Sequence, residues 1–258
     1  CGIVATPSVF CQRSCGAVNP VLLDWLADRF VKGLWSIKSI HKLICNSRTY
    51  SQATVNQDSR AAELDPENKL LWRFNRRRLE AEAVRDTVLS VSGRLNPDQF
   101  GLPIFPPLPG AIEETVKWDK SKWDTQGGIE GRKRSIYIYQ QRTLNMPFLQ
   151  SFDSTVCDTS RDQRRSSVTP LQSLDMYNGD FVSREAGIFD QRVREAAGDD
   201  PAKQVEKAFL MAFARPPTDV EKTRMLELLR NSADESGKGS LIALCRVLFN
   251  TSEFIYID

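Results

Sequence analysis

Histidine is almost absent from this sequence. His41 is the only histidine among 258 residues, which excludes zinc and iron sites built from several histidine ligands. A serine or cysteine nucleophile activated by histidine would have to use this residue. His41 lies among apolar residues of a predicted helix, beside Lys38 and Lys42. This position predicts a partly buried histidine with a local hydrogen bond.

Signatures of nucleotide binding and nucleophilic catalysis are also missing. The sequence has no Gly-x-Ser-x-Gly turn, no Walker-type phosphate loop and no dinucleotide-binding glycine fingerprint. Gly127, Gly128 and Gly131 predict a flexible turn without the flanking strand and helix that a phosphate loop needs. We therefore predict no cofactor, no metal and no catalytic residue. Whether the chain is an enzyme stays open, with a non-catalytic role favoured.

The sequence lacks a long apolar run and an excess of charge of one sign. A membrane span needs about 20 consecutive apolar residues, and the best candidate, residues 241–249, is short and broken by Arg246. Lys and Arg number 35 against 33 Asp and Glu, a net charge of +2, which is too balanced for a typical nucleic-acid binder. We predict no membrane span and no nucleic-acid partner. The start at Cys1, without Met or a signal peptide, indicates a mature product or a piece of a longer protein, and we expect the latter.

Six cysteines are present, but none forms a Cys-x-x-Cys motif. An even number allows disulfides in fifteen pairings, which sequence alone leaves open. Cys11 and Cys15 are the best candidates for a disulfide, because they lie near the N-terminus. Cys45 and Cys245 lie among apolar residues at helical spacing and are predicted to be buried thiols.

Residues that start and stop helices recur along most of the chain. Before residue 95, helices are predicted from Asn19–Pro20, from Ser36 to near Asn46, from Asp65–Pro66, and over about 76–92 with Gly93 after the last turn. Later helices are predicted from Thr169–Pro170 to Asn178–Gly179, from Asp200–Pro201, after a capping box of Thr218 and Glu221, and over about 240–249. Residues 135–139 are β-branched and aromatic apart from Ser135, and predict a strand.

Prolines at positions 97, 103, 106, 107 and 109 exclude regular structure between residues 95 and 131. A segment of this length without secondary structure is either a functional loop or an extended wrap around the core. The predicted fold class is therefore mainly α: an irregular multi-helix domain with a minor β element and a long Pro-rich loop. We predict one domain over residues 1–258, helical over 1–94, with the loop at 95–131 and a strand plus helices over 132–258.

Arginine clusters are the most distinctive chemical feature. Planar guanidinium groups bind phosphate, sulfate or carboxylate through paired hydrogen bonds. If the clusters converge they would form an anion site; otherwise they pair with internal acids, brace the loop or face water. The three clusters lie at residues 72–78, 132–142 and 161–165, and the middle one includes Arg132 and Lys133. The predicted anion-binding residues are Arg76, Arg77, Arg78, Arg134, Arg142, Arg164 and Arg165.

Carboxylate pairs offer an alternative, a hydrolase-like enzyme that acts on polysaccharide. Glu82 and Asp86 share a helix face at a spacing of four residues, and Glu113, Glu114 and Asp119 lie on the Pro-rich loop. Nothing in their spacing selects an acid and base pair. A solvated helix face with ion pairs explains the same residues.

Several ordered strings resemble one family, the C-terminal domain of unknown function in planctomycete-type envelope proteins that often carry an N-terminal c-type cytochrome domain. These strings are Gly2–Ser8, Asn19–Ala27, His41–Tyr50, Asn75–Glu82, Val91–Arg94, Arg134–Tyr137, Pro147–Asp153, Gln172–Leu174, Ala214–Pro217, Leu244–Asn250 and Glu253–Asp258. The resemblance covers essentially the whole chain.

The resemblance implies a secreted, periplasmic or envelope location, with further domains upstream in the same polypeptide. Such proteins are common in bacteria that degrade complex, often sulfated, polysaccharides. The family has no established catalytic residues, so none is transferred. This chain departs from the family at Asn19, where His precedes the proline in most members, and at Cys11, where glycine is usual. The implied envelope location favours disulfides.

Three functional hypotheses follow. The leading one is a non-catalytic interaction or scaffold domain that packs on its upstream domains and binds anionic polysaccharide through the arginine clusters. The second is the polysaccharide hydrolase described above. The third is an accessory domain that docks a c-type cytochrome domain through its basic surface, which predicts a salt-sensitive association.

Overall fold

The computed structural model describes residues 3–4, 16–56, 58–110, 112–114, 123, 125–142, 144–156, 163–231 and 239–257. The fold is mainly α, as predicted. The chain divides into two compact units. The first unit is Cys1–Arg77 with Arg161–Gln163 and Tyr256–Asp258, and the second is Arg78–Ser160 with Arg164–Ile255. The prediction of one domain over residues 1–258 stays a prediction.

The first unit contains three helices, α1 (Pro20–Lys32), α2 (Ile37–Cys45) and α3 (Ser59–Leu64). The predicted starts of α1 and α2 are confirmed, because the Asn19 side chain accepts the Leu22 N–H at 3.0 Å and Ser36 accepts the Ser39 N–H at 3.3 Å. No residue of these helices is buried.

The expected burial of His41 and Cys45 is wrong, since both residues are exposed. The physical reason is that α2 packs against α1 and no further layer of described residues covers either side chain. Cys11 and Cys15 lie outside the described residues.

The prediction of a helix that starts at Asp65–Pro66 is also wrong. The helix α3 ends at Leu64, and the next helix begins only at Ala81. The Asp65 carboxylate accepts the N–H groups of Lys69 at 2.9 Å and Leu70 at 2.7 Å. A short acidic side chain that binds nearby backbone N–H groups competes with the helix. Asp65 therefore stabilises a turn where the sequence suggested a helix cap.

The helix predicted over about 76–92 begins later, at Ala81, because Arg77–Arg78 form a strand (β1). This strand pairs with β2 (Tyr256–Ile257) in a two-stranded sheet. The helix itself, α4 (Ala81–Val91), is followed by Gly93 with a φ of +78°. A positive φ is the conformation for which glycine is preferred after a helix, which confirms this stop signal.

The core of the second unit surrounds one long helix, α7 (Asp180–Ala197), which packs against α4, α6 (Pro170–Asn178), α8 (Pro201–Phe213) and α10 (Gly239–Phe249). Phe189 of α7 is fully buried and stacks on Phe249 with 5.5 Å between ring centres. Besides the helical residues at 110 and 112–114, the helices after α4 in the described part of the chain are α5 (Pro147–Ser151), α6 (Pro170–Asn178), α7 (Asp180–Ala197), α8 (Pro201–Phe213), α9 (Asp219–Asn231), α10 (Gly239–Phe249) and α11 (Ser252–Ile255). Among the described residues, no helix combines the length and the apolar character of a membrane span.

Three of the predicted helix starts in this unit are confirmed. Thr169 and Gln172 form a capping box at α6. The Asp200 side chain accepts the Ala202 N–H of α8 at 2.9 Å. Thr218 and Glu221 form the reciprocal bonds of a capping box at α9.

The central helix α7 was not predicted. It follows Gly179, which lacks the side-chain oxygen of a typical cap, and many of its solvent-facing positions carry charged residues. A periodic apolar face is nevertheless present, since Val182, Ala186, Phe189 and Val193 are all fully buried. That spacing is the signal from which the helix was predictable.

The strand predicted over residues 135–139 is wrong. Ser135–Tyr137 form a 3-10 turn, and Ile138 makes an isolated bridge with Ile104. The cause is the Asp86 carboxylate, which accepts the Ser135 N–H at 2.8 Å and the Ser135 hydroxyl at 2.6 Å. These bonds hold the start of the segment against α4.

The described residues of the Pro-rich segment over 95–131 contribute to the core, but the expected lack of regular structure is wrong, since residues 110 and 112–114 are helical and a 3-10 turn begins at Glu130. Ile104, Leu108 and Trp123 of this segment are buried. The Trp123 indole donates to the Pro106 carbonyl at 3.1 Å and meets the Phe105 ring edge-on at 5.3 Å. The prolines of this segment lie outside its helical residues. They are tolerated because backbone without regular hydrogen bonding does not need the N–H groups that proline lacks.

Candidate functional site

Four arginines and one glutamate surround a cavity of about 170 Å³ in the second unit. Arg85 lies on α4 and Arg94 follows the end of that helix. Arg132 ends a 3-10 turn over Glu130–Arg132. Arg184 and Glu185 lie near the start of α7. We call these five residues the arginine pocket.

Arg85 is the buried anchor of the arginine pocket, with a side chain that is 2% exposed. One guanidinium nitrogen, Nη2, donates to the Gly131 carbonyl at 2.8 Å, and Nη1 donates to the Lys133 carbonyl at 3.2 Å and the Ser135 hydroxyl at 3.1 Å. Burial lowers the pKa of Arg85 to about 10, against the nearby carboxylates of Asp86 and Glu185, which raise it. The side chain therefore remains a cation at neutral pH.

Gly131 allows this anchoring because its backbone passes very close to another segment. A Cβ atom at this position would lie 1.9 Å from the Gln126 carbonyl oxygen, a distance that no side chain tolerates. The Gln126 N–H donates to the Phe105 carbonyl at 2.7 Å. Glycine at position 131 thus lets the loop that carries Arg132 close over the cavity.

Glu185 is the one carboxylate among the lining residues and is 1% exposed. It accepts the Ser92 hydroxyl at 2.9 Å and lies 3.2 Å from Arg94 Nη1 and 3.5 Å from Arg184 Nε. A buried carboxylate needs such hydrogen-bonding and charged partners, because it is removed from water. Glu185 therefore positions Arg94 and Arg184 on one side of the cavity.

Positive charge remains in excess. Besides Glu185, the other nearby carboxylate is Asp86, which lies 3.8 Å from Arg85. The four guanidinium groups of the arginine pocket therefore outnumber the two carboxylates by two. Burial, and then the like charges of Arg132 and Arg184, lower the pKa of Arg94, although Glu185 raises it. In addition, the Nε atoms of Arg85 and Arg132 are buried without a hydrogen-bond partner among the described residues.

The remaining wall of the cavity is mainly apolar, formed by Leu89, Pro106, Pro107, Met146 and Phe181. The Arg85 guanidinium lies 5.8 Å from the centre of the Phe181 ring, within the range of a cation–π contact. Such a wall lowers the local dielectric, which strengthens interactions between the arginines and an anion.

The arginine pocket can bind an anion but offers no catalytic pair. Its lining residues include no histidine, cysteine or hydroxyl side chain. Its carboxylate is engaged by two arginines and a serine. Among the described residues, no three His, Cys, Asp or Glu side chains are grouped to hold a metal ion.

Two of the sequence-predicted anion-binding arginines are engaged inside the second unit. Arg78 donates to the carbonyls of Ser167 and Phe152 at 2.9 and 3.0 Å and to the Asp153 carboxylate at 2.8 Å. Burial of Asp153 raises its pKa, but hydrogen bonds from Ser167 and Arg78 outweigh this effect, so the pKa is lowered. Arg78 therefore braces the chain.

The second internally bound residue is Arg164. It pairs with the Glu82 carboxylate and lies 3.7 Å from Glu80. The hydrogen bond to Glu82 raises the pKa of Arg164.

The other predicted residues do not line the cavity. The Arg76 guanidinium lies 4.7 Å above the Tyr256 ring. Arg134 is 57% exposed and 3.9 Å from Asp86. The remaining three, Arg77, Arg142 and Arg165, are exposed. The role of these arginines in anion binding stays a prediction.

Sequence reasoning missed most of the arginine pocket because Arg85, Arg94 and Arg184 do not stand in clusters. Arg132 alone belonged to a recognised cluster. One signal was available: Arg85 shares a helix face with Val84 and Val88, which are buried. An arginine on the apolar face of a helix indicates a buried, partnered cation.

The comparisons with known proteins support a domain of unknown function, while the planctomycete origin and the cytochrome association stay predictions. No curated protein and no solved structure gives a significant match to the chain. Residues 1–229 match the family model PSD1, described as a protein of unknown function (DUF1553). The chain therefore belongs to the PSD1 family of proteins of unknown function.

Proposed function

We propose that this chain is a non-catalytic interaction domain that binds anionic polysaccharide, in a secreted or envelope protein with further domains upstream. The observation that carries the proposal is the arginine pocket, where four guanidinium groups exceed the nearby carboxylates by two. Charged groups are seldom buried without compensation. An anionic ligand would supply the missing negative charge.

Two of the carboxylates considered for a hydrolase, Glu82 and Asp86, favour the non-catalytic role, whereas Asp119 lies outside the described residues. Glu82 is bound by Arg164, and Asp86 accepts two hydrogen bonds from Ser135. A general acid or base needs contact with substrate, whereas these side chains hold segments of the second unit together.

Binding to a panel of polysaccharides tests the proposal. The purified domain is titrated with chondroitin sulfate, polygalacturonate and dextran at low and high NaCl concentrations. We expect binding to the two anionic polymers, weakened by salt because charge interactions are screened, and no binding to dextran. Arg184→Gln, whose side chain is 49% exposed in the wild type, should weaken binding by about tenfold, the effect of one charge-assisted hydrogen bond.

Arg224→Gln is the matched control, since Arg224 is an exposed arginine of α9 outside the arginine pocket. Arg165→Gln reports whether an exposed, sequence-predicted arginine contributes. Equal binding to dextran and to the anionic polymers, or no binding to any of them, would contradict the proposed function.

A further inference from the structure

We infer that the arginine pocket takes one tetrahedral oxyanion, a sulfate or phosphate monoester that projects from a larger molecule. This inference rests on the proposed function and narrows it. The ligand would insert a single ester group, while the rest of the molecule stays outside the cavity.

The size of the cavity supports a single group. The cavity has a volume of about 170 Å³, well above the minimum of roughly 10–15 Å³ that one water molecule needs. An ester head and the first atoms that carry it fit this space. A polymer segment of several sugar rings does not.

The placement of the arginines on three segments supports a tetrahedral anion. Arg85 lies on α4 and Arg94 follows it, Arg132 ends the 3-10 turn and Arg184 lies on α7, and all four line the cavity. One arginine satisfies a planar carboxylate with two parallel hydrogen bonds. Guanidinium groups that arrive from three segments instead suit an anion whose oxygens point in several directions.

The charge balance supports the same ligand class. Glu185 already provides a carboxylate for Arg94 and Arg184, and two positive charges still remain in excess. A phosphate monoester carries about −1.5 to −2 at neutral pH, and a sulfate monoester carries a single negative charge. The apolar wall of Leu89, Pro106 and Met146 would contact the carbon atoms next to the ester oxygen.

Small probes separate this inference from general anion binding. Glucose 6-sulfate, glucose 6-phosphate, glucuronate and glucose are titrated by calorimetry into the full chain, with NaCl added to equal ionic strength. We expect both monoesters to bind at least tenfold more tightly than glucuronate, and glucose not to bind. The ratio between the sulfate and phosphate arms identifies which ester the arginine pocket prefers.

Variants locate the binding. Arg132→Gln and Arg184→Gln should each weaken monoester binding by about tenfold, because each removes a charge-assisted donor, whereas Arg224→Gln should leave it unchanged. Circular dichroism without ligand verifies folding of each variant. Hydrogen exchange on the wild-type chain needs no variant, and a monoester should increase protection at residues 131–135 and 184–185.

Two results would overturn the inference. Glucuronate that binds as tightly as the monoesters would show that a tetrahedral anion is not preferred. Monoester binding without added protection at these residues would place the ligand elsewhere. If the polysaccharides bind but neither monoester does, this inference fails while the proposed function stands. If nothing binds, both fail.

Discussion

Replacement of Arg85 by methionine tests whether the arginine pocket depends on its buried anchor. Methionine keeps an unbranched apolar chain but removes every donor. Arg85 donates to the carbonyls of Gly131 and Lys133, two buried residues. We expect the Arg85→Met variant to lose stability, because both carbonyl oxygens lose their guanidinium donor inside the core.

The magnitude follows from these contacts. A hydrogen bond to a charged group contributes about 1.5–3 kcal/mol, so the three bonds that Arg85 donates, to Gly131, Lys133 and Ser135, contribute about 4.5–9 kcal/mol. Removal of the buried cation recovers part of this amount, because burial disfavours the charge, as the lowered pKa of Arg85 indicates. We expect a net decrease of about 2–3 kcal/mol in the free energy of unfolding. For a domain of this size, that change lowers Tm by about 4–12 °C.

The assay is urea unfolding at pH 7 in a chloride buffer without sulfate or phosphate, so that no bound oxyanion contributes. Arg224→Met is the control, with an expected change within about 0.5 kcal/mol, as for other exposed positions. If Arg85→Met unfolds at the same urea concentration as this control, the hydrogen bonds to Gly131 and Lys133 do not hold the loop, and the reasoning is refuted.

Three further predictions concern the core, the pH dependence and the thiols. Phe189→Ala should reduce the free energy of unfolding by about 3–5 kcal/mol, measured in urea, because Phe189 is fully buried. The hydrogen bonds from Arg215 lower the pKa of Glu221 from 4.5 to about 2. The ionised carboxylate therefore stabilises the folded state fully above pH 4.5, and this contribution is lost as the pH falls towards 2. The wild type should lose more stability between pH 4.5 and 2 than the Glu221→Gln variant. Iodoacetamide followed by peptide mapping should label Cys45, which is exposed, and leave Cys245 unmodified in the native state, because burial raises its pKa.

Each of these predictions has a control and a contrary result. For the core, Val220→Ala is the control because Val220 is 60% exposed, and equal losses in both variants would contradict the described packing. For the pH dependence, Glu227→Gln is the control on an exposed position of α9, and a parallel pH profile for Glu221→Gln would contradict the ion pair with Arg215. For the thiols, 6 M urea should make Cys245 reactive, and equal labelling of both cysteines without urea would contradict its burial.

Local signals in the sequence predicted helix ends well. Asn19 and Asp200 each precede a proline and cap a helix. Their side-chain oxygens accept hydrogen bonds from backbone N–H groups two or three residues further along the chain, so the cap depends only on nearby residues. The mainly α class follows from many such signals. The same local reasoning was wrong at Asp65 and at residues 135–139. At Asp65, the carboxylate accepts the backbone N–H of Leu70 in a turn. At residues 135–139, the carboxylate of Asp86, which is distant in sequence, accepts the Ser135 hydroxyl.

The sequence predicted only one property of the candidate site, namely that arginine side chains form it. Arginine was recognised as the notable side chain, but clusters in the sequence did not indicate clusters in space. Arg78 and Arg164 lie in recognised clusters and bind Asp153 and Glu82. Arg94 and Arg184 stand apart from those clusters, yet both contact Glu185.

The sequence by itself therefore determined the helical class, several helix ends and the absence of known catalytic motifs, because these depend on neighbours within a few residues. The tertiary structure decided which arginines meet. Arg85 and Arg132 are 47 positions apart and line one cavity, because Gly131 admits a close backbone approach and Arg85 binds its carbonyl. Contacts over such a distance depend on the packing of the whole core, which no local pattern encodes.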